Sequence, residues 1–236
     1  MNSPAIVGEP KGGLNAHIYL YPNNLSIRVP PTIPMHISEG ILSAPVLLSG
    51  AVLTTVGTGI GLKKLDYDRI MSVSLLSATF FVASLIHVPV GPGSVHLLLG
   101  GLIGLILGWG AFPAIVVALL LQLLFFQFGG ITVLGANGVI IASPAVLCGL
   151  ILHPWLKKGK KQRMVAGFLA GFCPVLLSAI LMSGALYFSD HGFLKIAGLV
   201  LLSHVPVMLI EGLITMFVVN FLARVQPEIL SMETDT

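Results

Sequence analysis

The chain has 236 residues, of which 56% are hydrophobic and 9% are Asp, Glu, Lys or Arg, and its formal net charge is +3. A soluble domain usually contains about 25% charged residues. None of the 87 residues at positions 70–156 is Asp, Glu, Lys or Arg. A water-soluble fold cannot keep so long a stretch from its surface, so the composition excludes that class and indicates a helical membrane protein. The few basic residues lie between apolar segments, which is typical of membrane topology and does not indicate nucleic-acid binding.

Residues 1–34 precede the first apolar segment. They contain no apolar core of the kind that a secretory signal has, and no helical or strand period. Two interpretations are open: a disordered extension outside the membrane, or an upstream stretch that a wrong start codon attaches to the chain. We prefer the second, which makes Met35 the first residue of the mature protein.

Seven apolar segments follow, separated by Gly, Pro and charged residues, and a helix needs about 20 such residues to cross a membrane. The segments are residues 42–62, 70–88, 96–109, 111–128, 134–155, 164–188 and 193–223. The third is short, so it is either tilted or preceded by a loop that dips into the membrane. Pro206 is expected to kink or divide the last segment. The predicted fold is therefore all-α, a polytopic transmembrane bundle of about seven spans over 35–223, with a short cytoplasmic tail at 224–236.

Three basic clusters predict the orientation of this bundle. They follow the first, fifth and seventh spans, at residues 63–69, at 157–163 and at Arg224. All three lie on one side if the N-terminus is outside, and the positive-inside rule makes that side the cytoplasm. The Gly- and Pro-rich loops at 88–95 and 129–135 then emerge on the outer face together with Met35, so we expect a functional site there.

Met35 and His36 have the chemistry of a metal chelate if Met35 is the N-terminus. The free amine, the next backbone nitrogen and the imidazole Nδ1 of His36 are three nitrogens that one ion can bind in a plane, which suits late first-row metals. His96 follows the outer loop and opens the third span, where a ligating side chain is costly unless it is used. It is either the fourth ligand or a helix-start histidine bonded to a loop carbonyl.

Five further polar residues are candidates for a supporting shell around the ion. His87 and Ser94 flank or lie in the outer loop, and His87 is equally well explained as an interfacial residue. His204 and Glu211 are seven residues apart on one helical face, where they are either functional or a structural pair between helices. Asn137 either orders the outer loop over the site or caps a helix.

Four motifs along the chain resemble a known family. They are MHISEG at 35–40, GPGSVHLLLGG at 91–101, QLLFFQFGGITVLGAN at 122–137 and HVPVMLIEGLIT at 204–215. Together they resemble the CbiM/NikM family, the substrate-binding membrane components of energy-coupling factor importers for cobalt and nickel.

The resemblance implies a site and a set of partners. Met35, His36 and His96 would be the metal ligands, and Co²⁺ or Ni²⁺ the transported substrate, with no permanently bound cofactor. The partners would be a transmembrane coupling subunit, cytoplasmic ATPase subunits and a small accessory membrane subunit, at a bacterial plasma membrane. Stripes of small residues such as Gly100/Gly104/Gly108 either meet the coupling subunit or pack within the chain.

The chain also departs from the family pattern. Gln127-Phe128-Gly129-Gly130 lacks the acid of the family's Gly-Asp-Gly-Gly loop, and Ile140 stands where a second Asn is common. The 34-residue extension would remove the free amine at Met35, so either the start is misassigned, the extension is cleaved, or the site works with imidazoles alone, and we prefer the first. These departures predict a thinner polar network around the ion.

Other functions are less well supported by the sequence. No G-x-x-x-x-G-K-[ST] motif occurs, so the chain is not expected to hydrolyse ATP through a P-loop. An intramembrane enzyme built on His204 and Glu211 would need a catalytic constellation that the sequence lacks. A channel or vitamin-binding component would need an organic-ligand pocket, which 8% aromatic residues do not indicate. The resemblance, through the name of the broader subgroup, favours cobalt over nickel as the substrate.

Overall fold

The computed structural model describes residues 5–6, 18–20, 26–28, 39–90, 93–189 and 194–230. Helices dominate this part of the chain. They are α1 (Ala44–Lys63), α2 (Ile70–Ala83), α3 (Gly100–Leu107), α4 (Ala111–Phe126), α5 (Leu134–Leu156), α6 (Lys160–Ser189), α7 (Leu194–Val225) and α8 (Pro227–Leu230), with 3-10 turns at Tyr67–Arg69 and Gly108–Gly110. The strands are short: β1 (Ala5–Ile6), β2 (Ile18–Leu20), β3 (Ser26–Arg28), β4 (His87–Val90) and β5 (Gly93–His96).

Five helical segments are long and apolar enough to cross a membrane. They are Ala44–Lys63, Gly100–Phe126, Leu134–Leu156, Lys160–Ser189 and Val200–Val225, and the apolar helix Ile70–Ala83 is shorter. Large apolar side chains face outward from these helices, as Leu48 and Phe217 do with 68% exposure each. Because such an exterior is stable only in lipid, the predicted class of polytopic helical membrane protein is confirmed.

The third predicted span has a different form from a simple crossing helix. Its first residue, His96, ends β5, and α3 has only eight residues, all of them buried, which makes this helix about 12 Å long. Gly108, with φ 53°, ends α3 and separates it from α4. Within the predicted segment the helix therefore begins only at Gly100, and residues 96–99 precede it.

The corner between α3 and α4 lies beside the C-terminal end of α1. A Cβ on Gly61 would lie 2.6 Å from both Pro113 Cδ and the Trp109 carbonyl oxygen. Lys64 Nζ lies 5.5 Å from the centroid of the Trp109 ring. The basic residues that follow α1 therefore lie at the end of the bundle where α3 ends and α4 begins.

Small residues hold α3 in the centre of the bundle. A Cβ on Gly104 would collide with the Ala145 carbonyl of α5, and a Cβ on Gly101 with the Ala170 carbonyl of α6. Ala170 has no exposed surface. Gly104 of the small-residue stripe thus packs within the chain, which leaves it unavailable to a partner subunit.

Two sequence expectations about local structure can be compared with the observed elements. Pro206 lies inside α7 and does not divide it, since a long helix tolerates one proline when its neighbours support the backbone. The segments β1, β2 and β3 pair as a small antiparallel sheet, whereas no strand period was recognised in residues 1–34.

Candidate metal-binding site

The site is built on the β4–β5 hairpin, which enters the bundle ahead of α3. In its register residue 87 lies directly opposite residue 96. The Leu97 N–H then donates to the Ile86 carbonyl at 3.2 Å. His96 is 5% exposed, so the hairpin carries its imidazole into the protein interior.

Glu211 of α7 fixes the chain directly after His96. Its Oε1 accepts hydrogen bonds from the backbone N–H groups of Leu98 and of Leu99, the latter at 2.9 Å. Leu99 has φ 53°, a left-handed conformation that is strained for a leucine. Glu211 has no exposed surface. One buried side-chain oxygen of α7 thus accepts from the two consecutive N–H groups that precede α3.

This capping explains how irregular backbone lies inside a membrane protein. Non-helical segments at membrane depth must be buried in protein and have their N–H groups satisfied. Residues 97–99 are neither helix nor strand, and Glu211 supplies acceptors for two of them. The position of His96 therefore depends on a carboxylate of a distant helix.

Phe128 covers the His96 imidazole from the loop between α4 and α5. The two ring centroids are 5.4 Å apart. The loop turns sharply because Gln127 has φ 56°, and the Phe128 N–H donates to the Gln122 carbonyl at 3.4 Å. The residue that departs from the Gly-Asp-Gly-Gly pattern is thus an aromatic ring beside this histidine.

Glu39 joins the MHISEG segment to the same loop. Its Oε1 accepts from the Thr132 N–H and from the Thr132 Oγ1, each at 3.2 Å. Gly130 lies against the Glu39 side chain and has φ 149°, a conformation that favours glycine. Four residues later, the Ser43 N–H donates to Ser189 Oγ at 3.0 Å. The chain that follows His36 is therefore docked at the end of the bundle that holds the Phe128 loop.

His204 lies on α7, and its ring is buried with 4% exposure. Its Nδ1 is 2.6 Å from the Val200 carbonyl oxygen, which can only accept, so Nδ1 carries the proton. In the neutral ring Nε2 is then an acceptor. A histidine held in this way has the tautomer that a metal ligand or a hydrogen-bond acceptor requires.

The structure describes the other predicted site residues to different extents. Met35 and His36 lie outside the described residues. His87 and Ser94 are placed by backbone only, on β4 and β5. Asn137 is 6% exposed in the first turn of α5. Within the part of the chain that the structure describes, no three His, Cys, Asp or Glu side chains form a metal-binding group.

Three residues with contacts at this site were not recognised as candidates from the sequence. Glu39 and Phe128 stand inside quoted motifs, but nothing in their spacing indicates what they touch. Gln122 is 1% exposed, and neither polar atom of its amide has a hydrogen-bond partner among the described residues. The isolated amide in the apolar run LLLQLLFF was a signal that could have identified it.

Fold and site together define a polytopic helical membrane protein with an imidazole buried in an inserted hairpin. A family model described as the cobalt uptake substrate-specific transmembrane region, CbiM, matches residues 36–229. The chain belongs to this family.

Curated relatives agree with the family match. A protein of Haemophilus influenzae named for metal transport is 42% identical over 200 residues, covering 84% of this chain and 97% of its own length. The cobalt transport protein CbiM of Kyrpidia tusciae is 32% identical over 213 residues, covering 84% and 86%. The fused nickel transport protein NikMN of Rhodobacter capsulatus is 30% identical over 223 residues, covering 84% and 64%.

Solved structures share the fold. The crystal structure of a transition metal transporter superposes with a TM-score of 0.69 at 22% identity, covering 80% of this chain and 93% of its own. A truncated transition metal transporter gives a TM-score of 0.63 at 24% identity, covering 80% and 98%.

Proposed function

We propose that this chain is the ion-binding membrane component of an energy-coupling factor importer for Co²⁺, with Ni²⁺ as the alternative substrate of the same site. The observation that carries the proposal is the buried His96, whose backbone Glu211 fixes and whose ring Phe128 covers. Relatives named for cobalt and for nickel transport support both ions. The cobalt uptake family supports the preference for Co²⁺.

The proposed ligands are the Met35 amine, the His36 backbone nitrogen and imidazole, and the His96 imidazole. Glu39 is bonded to Thr132, and three residues of extended chain reach at most about 11 Å. His36 is therefore confined to the neighbourhood of the loop whose Phe128 covers His96. This constraint supports a site shared by the N-terminal segment and the hairpin.

The remaining residues have supporting roles in this proposal. Glu211 is a positioning residue, because it acts on the ion only through the backbone that follows His96. His87, opposite residue 96 in the hairpin, and Ser94 support the hairpin arm. Asn137 and His204 contribute to the polar surroundings of the site. Such outer partners commonly orient and tune metal-binding imidazoles.

Binding through an amine and an amide nitrogen has a direct consequence for pH. Both groups must lose a proton when the ion binds, so affinity is expected to fall as the pH is lowered. The imidazoles of His36 and His96 must also be neutral to bind the ion.

In the proposed topology the chain crosses the membrane seven times, with the hairpin and α3 as one crossing and the N-terminus outside. The contacts of Glu39 and Phe128 gather at one end of the bundle, and Lys64 lies beside the opposite corner at Trp109. Basic residues at that corner favour a cytoplasmic location. The ion would thus be captured from outside.

Inward delivery would depend on other subunits. We assign ATP hydrolysis to cytoplasmic ATPase subunits because this sequence contains no P-loop motif. A transmembrane coupling subunit would transmit the motion, with a small accessory membrane subunit as a further partner. The role of this chain is to hold the ion and to expose it alternately to the two sides.

The experiment that tests the proposal compares chains with different N-termini. One begins at Met35, one retains residues 1–34, and a third begins at Met35 with its α-amine acetylated. Only the first has the amine next to His36, so isothermal titration should show one Co²⁺ or Ni²⁺ per chain for it and severely weakened binding for the others. Equal binding by all three would exclude the amine as a ligand.

Two further measurements complete this test. The intact mass of the protein from its natural host shows whether the mature chain begins at Met35, as we propose. Metal analysis after growth with equal Co²⁺ and Ni²⁺ distinguishes the two substrates. An excess of bound Ni²⁺ would reverse the preference for cobalt.

A further inference from the structure

A groove of about 350 Å³ lies between α6 and α7, far along the chain from the His96 hairpin. Its lining combines cationic, amide, thioether and aromatic side chains: Lys160, Met164, Met216, Phe217, Asn220, Phe221 and Arg224. None of these residues has a role in the proposed metal site. The groove therefore needs an explanation of its own.

The lining changes from charged to apolar along the helix axes. Lys160 begins α6 and Arg224 lies in the last turn of α7, so the two cations mark one end. Met164 is one turn further along α6, and Phe217 is seven residues before Arg224, a distance of about 10 Å along the helix. The groove thus has a cationic mouth and an apolar floor about two helical turns long.

A hydrogen-bonded amide defines the middle of the groove. Asn220 Nδ2 donates to the Met216 carbonyl at 2.8 Å, and its Oδ1 accepts from Arg163 Nε at 3.5 Å. The bond from Arg163 joins α6 to α7, and the two bonds together use both polar atoms of the Asn220 amide. Lys160 and Arg224 supply the cationic part of the lining.

The surrounding sequence makes this end of the protein strongly cationic. Residues 157–163, KKGKKQR, contain five basic residues and no acidic one. Phe217 and Phe221 nevertheless expose 68% and 62% of their surface beside this charge. An occupant must therefore combine negative charge with a long apolar portion.

We propose that this groove binds one anionic phospholipid, with its phosphate between Lys160 and Arg224 and an acyl chain along Met164, Met216 and Phe217. Basic pockets between helices on the cytoplasmic side are suited to anionic headgroups, since the cytoplasmic leaflet carries negative surface potential. The two cations attract a zwitterionic lipid less strongly, and inorganic phosphate has no apolar portion to bury against the floor of the groove. The site is independent of which metal the chain binds.

Native mass spectrometry of the full chain in detergent tests this site. Phosphatidylglycerol should be retained at one molecule per chain and in preference to phosphatidylcholine of the same acyl length. The double variant Lys160→Gln/Arg224→Gln should bind phosphatidylglycerol about 30-fold more weakly, from the usual attraction of two surface cations for an anionic headgroup. The matched control Lys157→Gln/Lys161→Gln removes the same charge without altering the lining.

The outcomes separate the possible occupants. An unchanged affinity in the control and a loss in the groove variant support the site, and Phe217→Ala should weaken both lipids. If both double variants lost the same affinity for phosphatidylglycerol, the effect would be a general electrostatic attraction to this end of the protein, and the proposal would be overturned. Equal binding of phosphatidylcholine, stabilisation by inorganic phosphate alone, or a protein chain occupying the groove in the purified importer would also overturn it.

Discussion

Glu211 and Leu98 are 113 positions apart, yet the Glu211 carboxylate accepts the backbone N–H of Leu98 and that of the following Leu99. This contact ties α7 to the chain directly after His96. It allows a hairpin arm to lie inside a membrane protein, because the carboxylate satisfies N–H groups that no helix or strand pairs. The geometry of the proposed metal site therefore rests on a residue that need not touch the ion.

Replacing Glu211 should destabilise the fold and weaken metal binding together. Glu211→Ala leaves the N–H groups of Leu98 and Leu99 buried without this acceptor, which should reduce the free energy of unfolding by about 3 kcal/mol. Glu211→Gln keeps a neutral acceptor, so its free energy of unfolding should fall less than that of Glu211→Ala. Thermal unfolding in detergent and Co²⁺ titration measure the two effects. The control is Thr215→Val, which lies one turn further along α7 and is equally buried. If this variant lost as much stability and Co²⁺ affinity as Glu211→Ala, Glu211 would have no special role.

Replacing His96 should abolish binding without unfolding the protein. Loss of an outer-shell partner commonly weakens a metal site 10–100-fold, so loss of a ligand by His96→Ala should lower affinity for Co²⁺ and Ni²⁺ by at least about 100-fold. The melting temperature of the metal-free protein should change little. His153→Ala, half-buried on α5, should retain binding. Undiminished metal stoichiometry in His96→Ala would exclude this imidazole from the site.

Glu39 should influence metal binding by holding the N-terminal segment in place. Glu39→Ala removes the acceptor for Thr132 N–H and Oγ1, and the loss of one net hydrogen bond corresponds to about fivefold weaker affinity. Glu39→Gln retains an acceptor oxygen, so its affinity for the metal ion should lie between those of Glu39→Ala and the wild type. Hydrogen exchange at the Thr132 amide reports the same contact. Slow exchange at this amide in Glu39→Ala would show that Glu39 does not order the loop.

Gln122 should be a source of instability in the metal-free protein. A buried amide without hydrogen bonds costs about 1–3 kcal/mol, and neither of its polar atoms has a partner among the described residues. Gln122→Leu has similar volume and no polar atoms, so we expect a higher melting temperature without metal. A lower melting temperature would mean that the amide is bonded within the native protein.

Much of the fold could be predicted from the sequence, because a segment inside a membrane must be apolar and helical. The run without charged residues at 70–156 requires lipid-facing helices, and the observed helices lie close to the predicted segments except at 96–109. Hydropathy alone could not decide the form of that segment, because it does not distinguish a crossing helix from a buried one. Only packing shows that α3 is fully enclosed, with Gly104 against α5.

The candidate site, like the fold, could be predicted from the sequence only in part. The sequence identified His96 and Glu211 as ionisable side chains inside apolar segments, which are costly in a membrane unless they are used. It did not identify Phe128, Glu39 or Gln122, because an aromatic residue, a loop acid and a single amide are individually unremarkable. Their positions matter only through neighbours that are distant in sequence.

By itself, then, the sequence determined the class of the protein, the approximate extent of its helices and the two polar positions within them, because burial in lipid selects composition locally. The tertiary structure decided which residues meet. Glu211 joins Leu98 across 113 positions and Glu39 joins Thr132 across 93. Such contacts depend on how helices pack and where a hairpin enters the bundle, and no local pattern encodes either one.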